Sequence, residues 1–321
     1  MPTPPRLQPT AARTARLRAR LLAWYDSTAR ALAFRGTRDP YAVLVSEVIL
    51  QQTQVSRGEP AWQAFMARFP TFKALAQASP ADVLRAWAGL GYNRRALALR
   101  GTARAVVELH DGRLPDDLHA LRALPGIGPY TARAIAAIAF GHPVGAVDTN
   151  VRRVLGRVLA GHGSARDDGD AIPTRELQAI ADALVPADRP ADWTAALMDL
   201  GASLCRPARP DCAACPLSAD CRFAARATGR ARRRGVATVA PGEPSPAGRR
   251  TAEERSAYEA SSRWLRGRII GRLRSLPDGR WTSLEPPIGG HGRAEVDRAV
   301  ASLRRDGLLE VDGAGRVRLP L

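Results

Sequence analysis

Apolar residues recur at helical spacing along most of the chain. Over residues 14–33, Leu17, Leu21, Leu22 and Trp24 line one side of a predicted helix. Similar patterns follow to about Phe223. They are separated by Gly- and Pro-containing breaks at residues 35–40, 69–71, 89–91, 111–115, 125–129, 141–143 and 161–169. The two-residue alternation of a half-buried strand is almost absent there, so residues 14–225 read as an all-α domain of many short helices, preceded by a disordered Pro/Thr/Ala/Arg tail at residues 1–13. The pattern then changes. Residues 222–274 carry 14 arginines against 4 acids, and the Pro-Gly-rich run at 241–248 breaks any periodicity, marking 226–257 as a basic linker. Residues 258–321 predict helices at 263–276 and 294–306 and short strands at 308–311 and 315–319, a small winged-helix-like α+β module.

Charge narrows the partners. The net charge of +17, with pI near 11.2, favours a polyanion through electrostatic steering and counterion release, with nucleic acid ahead of an acidic membrane surface. With 45% apolar and 25% charged residues the chain can bury a core. No stretch approaches the roughly 18 apolar residues of a membrane span, and the first residues lack a signal peptide's apolar run. The expectation is a soluble, cytoplasmic protein. Lys73 is the sole lysine, which leaves little scope for amine nucleophiles.

Three features carry chemistry. Cys205, Cys212, Cys215 and Cys221 are all the cysteines present, spaced C-x6-C-x2-C-x5-C. In a reducing compartment such a set points to metal, either zinc or a four-thiolate iron–sulfur cluster; a single C-x2-C knuckle puts iron–sulfur ahead. Leu124-Pro125-Gly126-Ile127-Gly128 joins two helical patterns. Its glycines permit positive φ and close approach, and the amides opening the next helix can hold a phosphate, although an ordinary interhelical turn reads the same way. Residues 41–55 form an apolar helical run with one acid, in which Glu47, Gln51 and Gln54 fall on one polar stripe. A carboxylate placed there is desolvated and suited to donate a proton, whereas a solvated Glu on an exposed face is the bland alternative. Asp148 precedes a helix beginning near Val151, where it serves at least as an N-cap.

Taken in order, SEVILQQTQV, GLGYNRRALAL, LPGIGPYTARAI, AVDTNVRRVL, WTAALMDLGASLC and the four-cysteine loop resemble the helix-hairpin-helix glycosylases that carry an iron–sulfur loop, and among them the adenine DNA glycosylases. The resemblance covers about residues 30–223. It implies a two-lobed all-α fold, with a six-helix barrel over about 41–148 and a cluster lobe formed by 14–40 and 149–225. It also implies a [4Fe-4S] cluster on Cys205, Cys212, Cys215 and Cys221.

The implied activity is base excision. A monomer would flip adenine mispaired with 8-oxoguanine or guanine out of double-stranded DNA and hydrolyse its glycosidic bond, with no membrane partner. By resemblance, Glu47 protonates the base and then activates water, Asp148 stabilises the sugar cation, and Asn150 orients the carboxylates. Arg30, Leu32 and Tyr130 line the adenine pocket. Gln52 and Tyr92 act as wedges, Thr53 lies near the opposing base, and the Leu124, Gly126 and Gly128 turn holds the DNA backbone. Strand-cutting endonuclease III-like relatives, which act on oxidised pyrimidines, place a lysine where this chain has Tyr130, so a monofunctional enzyme is expected. Phe34 and Asn93 depart from the family pattern, which favours Trp and a second Tyr there, and the family's usual C-terminal lesion-recognition domain is missing. A non-enzymatic iron–sulfur DNA-binding regulator is the rival class; it explains the charge, the cysteines and the C-terminal module, but not an acid on the 41–55 helix or the separate Asp148 site.

Overall fold

The computed structural model describes residues 7–161, 172–226 and 252–321. The 1–6 part of the expected tail and most of the expected linker lie outside them. Among the described residues the protein is helical, with one two-stranded sheet near its C-terminus. Among the described residues, no helix is long and apolar enough to cross a membrane.

The chain divides into two compact units. One comprises residues up to Leu44, Asp116–Arg122 and Ile127–Glu243; the other comprises Val45–Pro115, Ala123–Gly126 and Pro244–Leu321. In the first, α1 (Ala11–Thr28) begins three residues earlier than the pattern predicts, because Thr10 caps it by accepting from Arg13 N at 3.3 Å. Its Leu17 and Leu21 pack on α9 (Thr149–Leu155), α10 (Thr174–Leu184) and α11 (Pro190–Ser203), with Val154, Ile180, Trp193 and Leu200 in the same core. The helix stops at Thr28, where Ala29 turns to ψ 130. α7 (Leu118–Ala123) leads through the Leu124–Gly128 turn into α8 (Pro129–Ile138), which starts with Pro at its first position as helices tolerate.

The division of the chain falls within α2 (Pro40–Leu50), whose Val43, Leu44, Val45, Val48 and Ile49 are buried. The second unit contains α3 (Val55–Arg68), α4 (Phe72–Gln77), α5 (Pro80–Ala86) and α6 (Arg94–Leu109), around Phe65, Leu84, Trp87 and Leu99. Phe65 and Trp87 meet edge to face at 5.7 Å. The same unit contains α12 (Ala252–Glu259), α13 (Ser262–Arg274), α14 (Arg293–Arg305) and the hairpin of β1 (Glu310–Val311) and β2 (Val317–Arg318). Leu265, Ile269, Ile270 and Leu273 of α13 and Val296, Ala299 and Leu303 of α14 are buried. Glu310 pairs with Arg318 and Val311 with Val317, in strands shorter than predicted. Asp312 closes the turn by accepting from Ala314 N and Arg316 N.

One expectation fails at element level. The predicted helix over 41–55 is two helices with a turn between them, so Gln51 and Gln54 do not continue a stripe from Glu47. Gln52 has φ +55°, which an α-helix cannot contain. Arg95 of α6 takes the carbonyls left open: Nη1 donates to Val48 O at 2.7 Å and Ile49 O at 3.3 Å, and also to Gln51 O.

Candidate functional site

In the second unit Glu47 sits on the buried side of α2, only 9% exposed, among apolar neighbours of the same helix. One turn later the chain reverses at Gln52, which is exposed, and Thr53, which is half-buried and closes the turn through its N–H to Leu50 O at 3.2 Å. The α5–α6 connection makes a second such feature. Tyr92 has φ +45° and is 44% exposed, so packing in a core is not its role. Trp87 Nε1 donates to Gly91 O at 3.0 Å and Arg95 Nη2 to Leu90 O at 3.2 Å. Arg95 therefore braces both left-handed residues, Gln52 and Tyr92. Burial lowers its pKa.

The hairpin turn shows an asymmetry that its sequence does not. Leu124 is buried, and Gly126 has φ +78° with a position for Cβ only 2.8 Å from Ala98 Cβ, so a side chain there is strained and crowded. Gly128 has φ −82° and open space, so the expected positive φ applies to Gly126 alone. Gly128 is the N-cap residue of α8, and nothing lies within 4 Å of where its Cβ would be.

In the first unit Asp148 caps α9: Oδ1 accepts from Val151 N at 2.7 Å and Oδ2 from Asn150 Nδ2 at 3.1 Å. Arg153 donates to Asn150 Oδ1 at 2.7 Å, Gly201 O at 2.7 Å and Cys205 O at 2.8 Å. A continuous set of hydrogen bonds thus runs from the carboxylate to the cysteine loop.

α11 organises several of these side chains, although sequence reading assigned none of its residues a role. Asp199, 3% exposed, pairs with Arg30 and Arg35, and Arg35 also donates to Tyr25 Oη at 2.8 Å. Tyr130 Oη donates to Met198 Sδ at 3.8 Å. Gly201 leaves room for Asn150, whose Cβ lies 2.7 Å from where a Cβ at 201 would be. The missed signal is the one used for Glu47, an acid inside an apolar helical run. Leu32 is half-buried in the connection after α1.

The four cysteines are free and line one cavity, with Val154, Val158, Leu200, Leu204 and Phe223 in its wall. Among the described residues, no group of three or more His, Cys, Asp or Glu is close enough to hold a single metal ion. Burial pushes the Cys215 thiol up to about 11 and raises those of Cys212 and Cys221, with neighbouring cysteines adding to the effect. Arg157 points into this shell, with Nη1 3.4 Å from Cys205 Sγ. Four sulfurs around an apolar cavity, with a guanidinium beside them, form a donor set suited to a four-thiolate cluster.

Comparison with known proteins identifies the family. Residues 45–171 match the HhH-GPD superfamily of base excision DNA repair proteins. The adenine DNA glycosylase of Mycolicibacterium smegmatis is 42% identical over 301 residues, which is 93% of this chain and 94% of that protein. That of Mycobacterium tuberculosis strain CDC 1551 is 37% identical over 310 residues, covering 94% and 92%. The solved structure of a thermostable thymine-DNA glycosylase superposes with TM-score 0.61 at 27% identity, covering 68% of this chain and 99% of its own. The match over nearly the full length, together with the hairpin and the order of the motif-bearing helices, means that this chain belongs to the adenine DNA glycosylases of the helix-hairpin-helix base excision repair superfamily.

Proposed function

We propose that this protein removes adenine from duplex DNA where it is mispaired with 8-oxoguanine or guanine, by hydrolysis of the N-glycosidic bond and without cutting the strand. The observation that carries the reading is Glu47, a carboxylate held at the edge of burial in an apolar helix, in a chain 42% identical over 93% of its length to an adenine DNA glycosylase. Such an acid protonates adenine N7, so that the C1′–N9 bond breaks with its electron pair passing to the base. Asp148, fixed by Val151 N and Asn150, places negative charge beside the sugar cation that develops. Glu47 then takes a proton from the water that adds to C1′, leaving free adenine and an abasic site. Arg30, held by Asp199, and Tyr130 bind the extruded base together with Leu32. Gln52 and Tyr92 fill the gap it leaves, and Thr53 meets the opposing base. The amides opening α8 hold the DNA backbone.

Cys205, Cys212, Cys215 and Cys221 would hold a [4Fe-4S] cluster, which would supply four iron–sulfur bonds that cross-link the loop. Tyr130 has no amine, and Lys73 is exposed on α4. Incubation with adenine–8-oxoguanine and adenine–guanine duplexes should therefore yield breaks only after alkali. Glu47→Gln should cut the excision rate about 10²-fold or more while DNA binding is kept. Near-normal turnover by that variant, or breaks before alkali, would overturn the assignment.

A further inference from the structure

The C-terminal module of the second unit is fastened to the very loop that carries Tyr92. α5 and α6 provide the fastening. Ala81 N, at the start of α5, donates to Pro320 O at 3.0 Å. Arg85 reaches the open carbonyls past α13, with Nη2 donating to Leu276 O at 2.9 Å and Nε to Arg274 O at 3.3 Å, and it pairs with Asp278. Arg94 lies 3.6 Å from Asp306. Arg274 Nη2 donates to Asn93 Oδ1 at 2.7 Å, and burial lowers the pKa of Arg274 to about 10. Asn93 stands where the resemblance expects a second tyrosine, and here it serves as the acceptor for the module.

Arg263 lies on the same face of α13 as Arg274, since eleven residues make three turns plus about 20°. Its guanidinium carbon stands 4.3 Å from the centre of the Tyr92 ring, and that of Arg95 stands 5.6 Å away. Tyr92 therefore has a strained backbone, an exposed ring and a cation from the module against it.

We propose that Arg263 is a positioning residue for Tyr92, so that the C-terminal module is part of the apparatus that extrudes the base. The proposal rests on the reading of Tyr92 as a wedge. The physical basis is orientation: a free tyrosine samples several rotamers, and a guanidinium against the ring selects one before DNA arrives. The same charge travels with the ring towards the polyanion, where its attraction grows as the ring enters.

The test uses the full-length protein and duplexes with 2-aminopurine in place of the target adenine, whose fluorescence rises on unstacking. Arg263→Ala should lower the extruded fraction relative to the stacked one about two- to fivefold, the strength of an exposed cation–π contact. Arg263→Lys should restore most of it. In a Tyr92→Leu background Arg263→Ala should add no further loss, because no ring remains to orient. Arg268→Ala, an exposed α13 arginine that stacks on Trp264 instead, controls for the loss of one charge. Unchanged melting temperatures confirm intact folding. If the wild-type protein excises adenine while Arg263→Ala and Arg268→Ala behave alike, or if the Arg263 effect persists without the Tyr92 ring, this proposal alone is overturned. A wild-type protein that neither excises adenine nor extrudes the analogue overturns the proposed function and this inference with it.

Discussion

At the scale of single residues, Asp148 has two duties that mutation can separate. It caps α9 and it holds Asn150, and both tasks use carboxylate oxygens. Asp148→Asn keeps an acceptor for Val151 N, so stability should change by no more than about 0.5 kcal/mol. It removes the charge, so single-turnover excision should slow by about 10²-fold or more. Asp148→Ala should lose the cap as well and cost about 1 kcal/mol of stability. Thermal melts paired with excision rates check both halves, and an Asn variant that keeps full activity would reduce Asp148 to its capping role. Asp199 makes a comparable point about partnership: its burial is tolerated because Arg30 and Arg35 meet it.

At the scale of elements, the hairpin turn separates a glycine demanded by geometry from one that is not. Gly126→Ala must place a side chain at φ +78° and 2.8 Å from Ala98 Cβ, which should cost about 1–3 kcal/mol. Gly128→Ala, at φ −82° with nothing within 4 Å, should stay within about 0.5 kcal/mol. Midpoints of urea unfolding measure the difference, and equal midpoints would contradict the conformational argument. The break between α2 and α3 belongs to the same scale. The apolar pattern runs on through it, yet Arg95, more than forty residues away in sequence, takes the final carbonyls of α2 and makes termination favourable.

At the scale of the molecule, the cysteine loop and the core of the first unit depend on each other. Cys205, Cys215 and Cys221 pack against the cluster that includes Val154, Val158 and Leu200. Protein purified without oxygen should carry about four irons per chain, the content of a cubane held by four thiolates. Stripping the iron should lower the melting temperature, because the loop loses its cross-links and buried thiols remain. Stoichiometric zinc in place of iron would refute the cluster assignment. The positive charge acts on a longer range. With +17 overall, affinity for any duplex should fall steeply as salt rises, because phosphate contacts release counterions.

By itself the sequence determined what local rules decide. Helical spacing, Gly-Pro breaks and the shift to basic composition outlined the α elements and the C-terminal module. The cysteine spacing singled out a candidate metal loop, and the ordered motifs singled out Glu47, Asp148, Tyr130 and the hairpin as candidates. These features are legible because periodicity, capping and ligand spacing involve residues only a few positions apart. The tertiary structure alone decided what distant residues impose: the end of α2 at Leu50 through Arg95, the place of Asp199 and Gly201 beside Arg30 and Asn150, and Arg263 against Tyr92. Each is a contact made across long stretches of chain, where a guanidinium or a missing Cβ meets a partner that no local pattern specifies. A buried carbonyl or charge must find its partner wherever folding brings one.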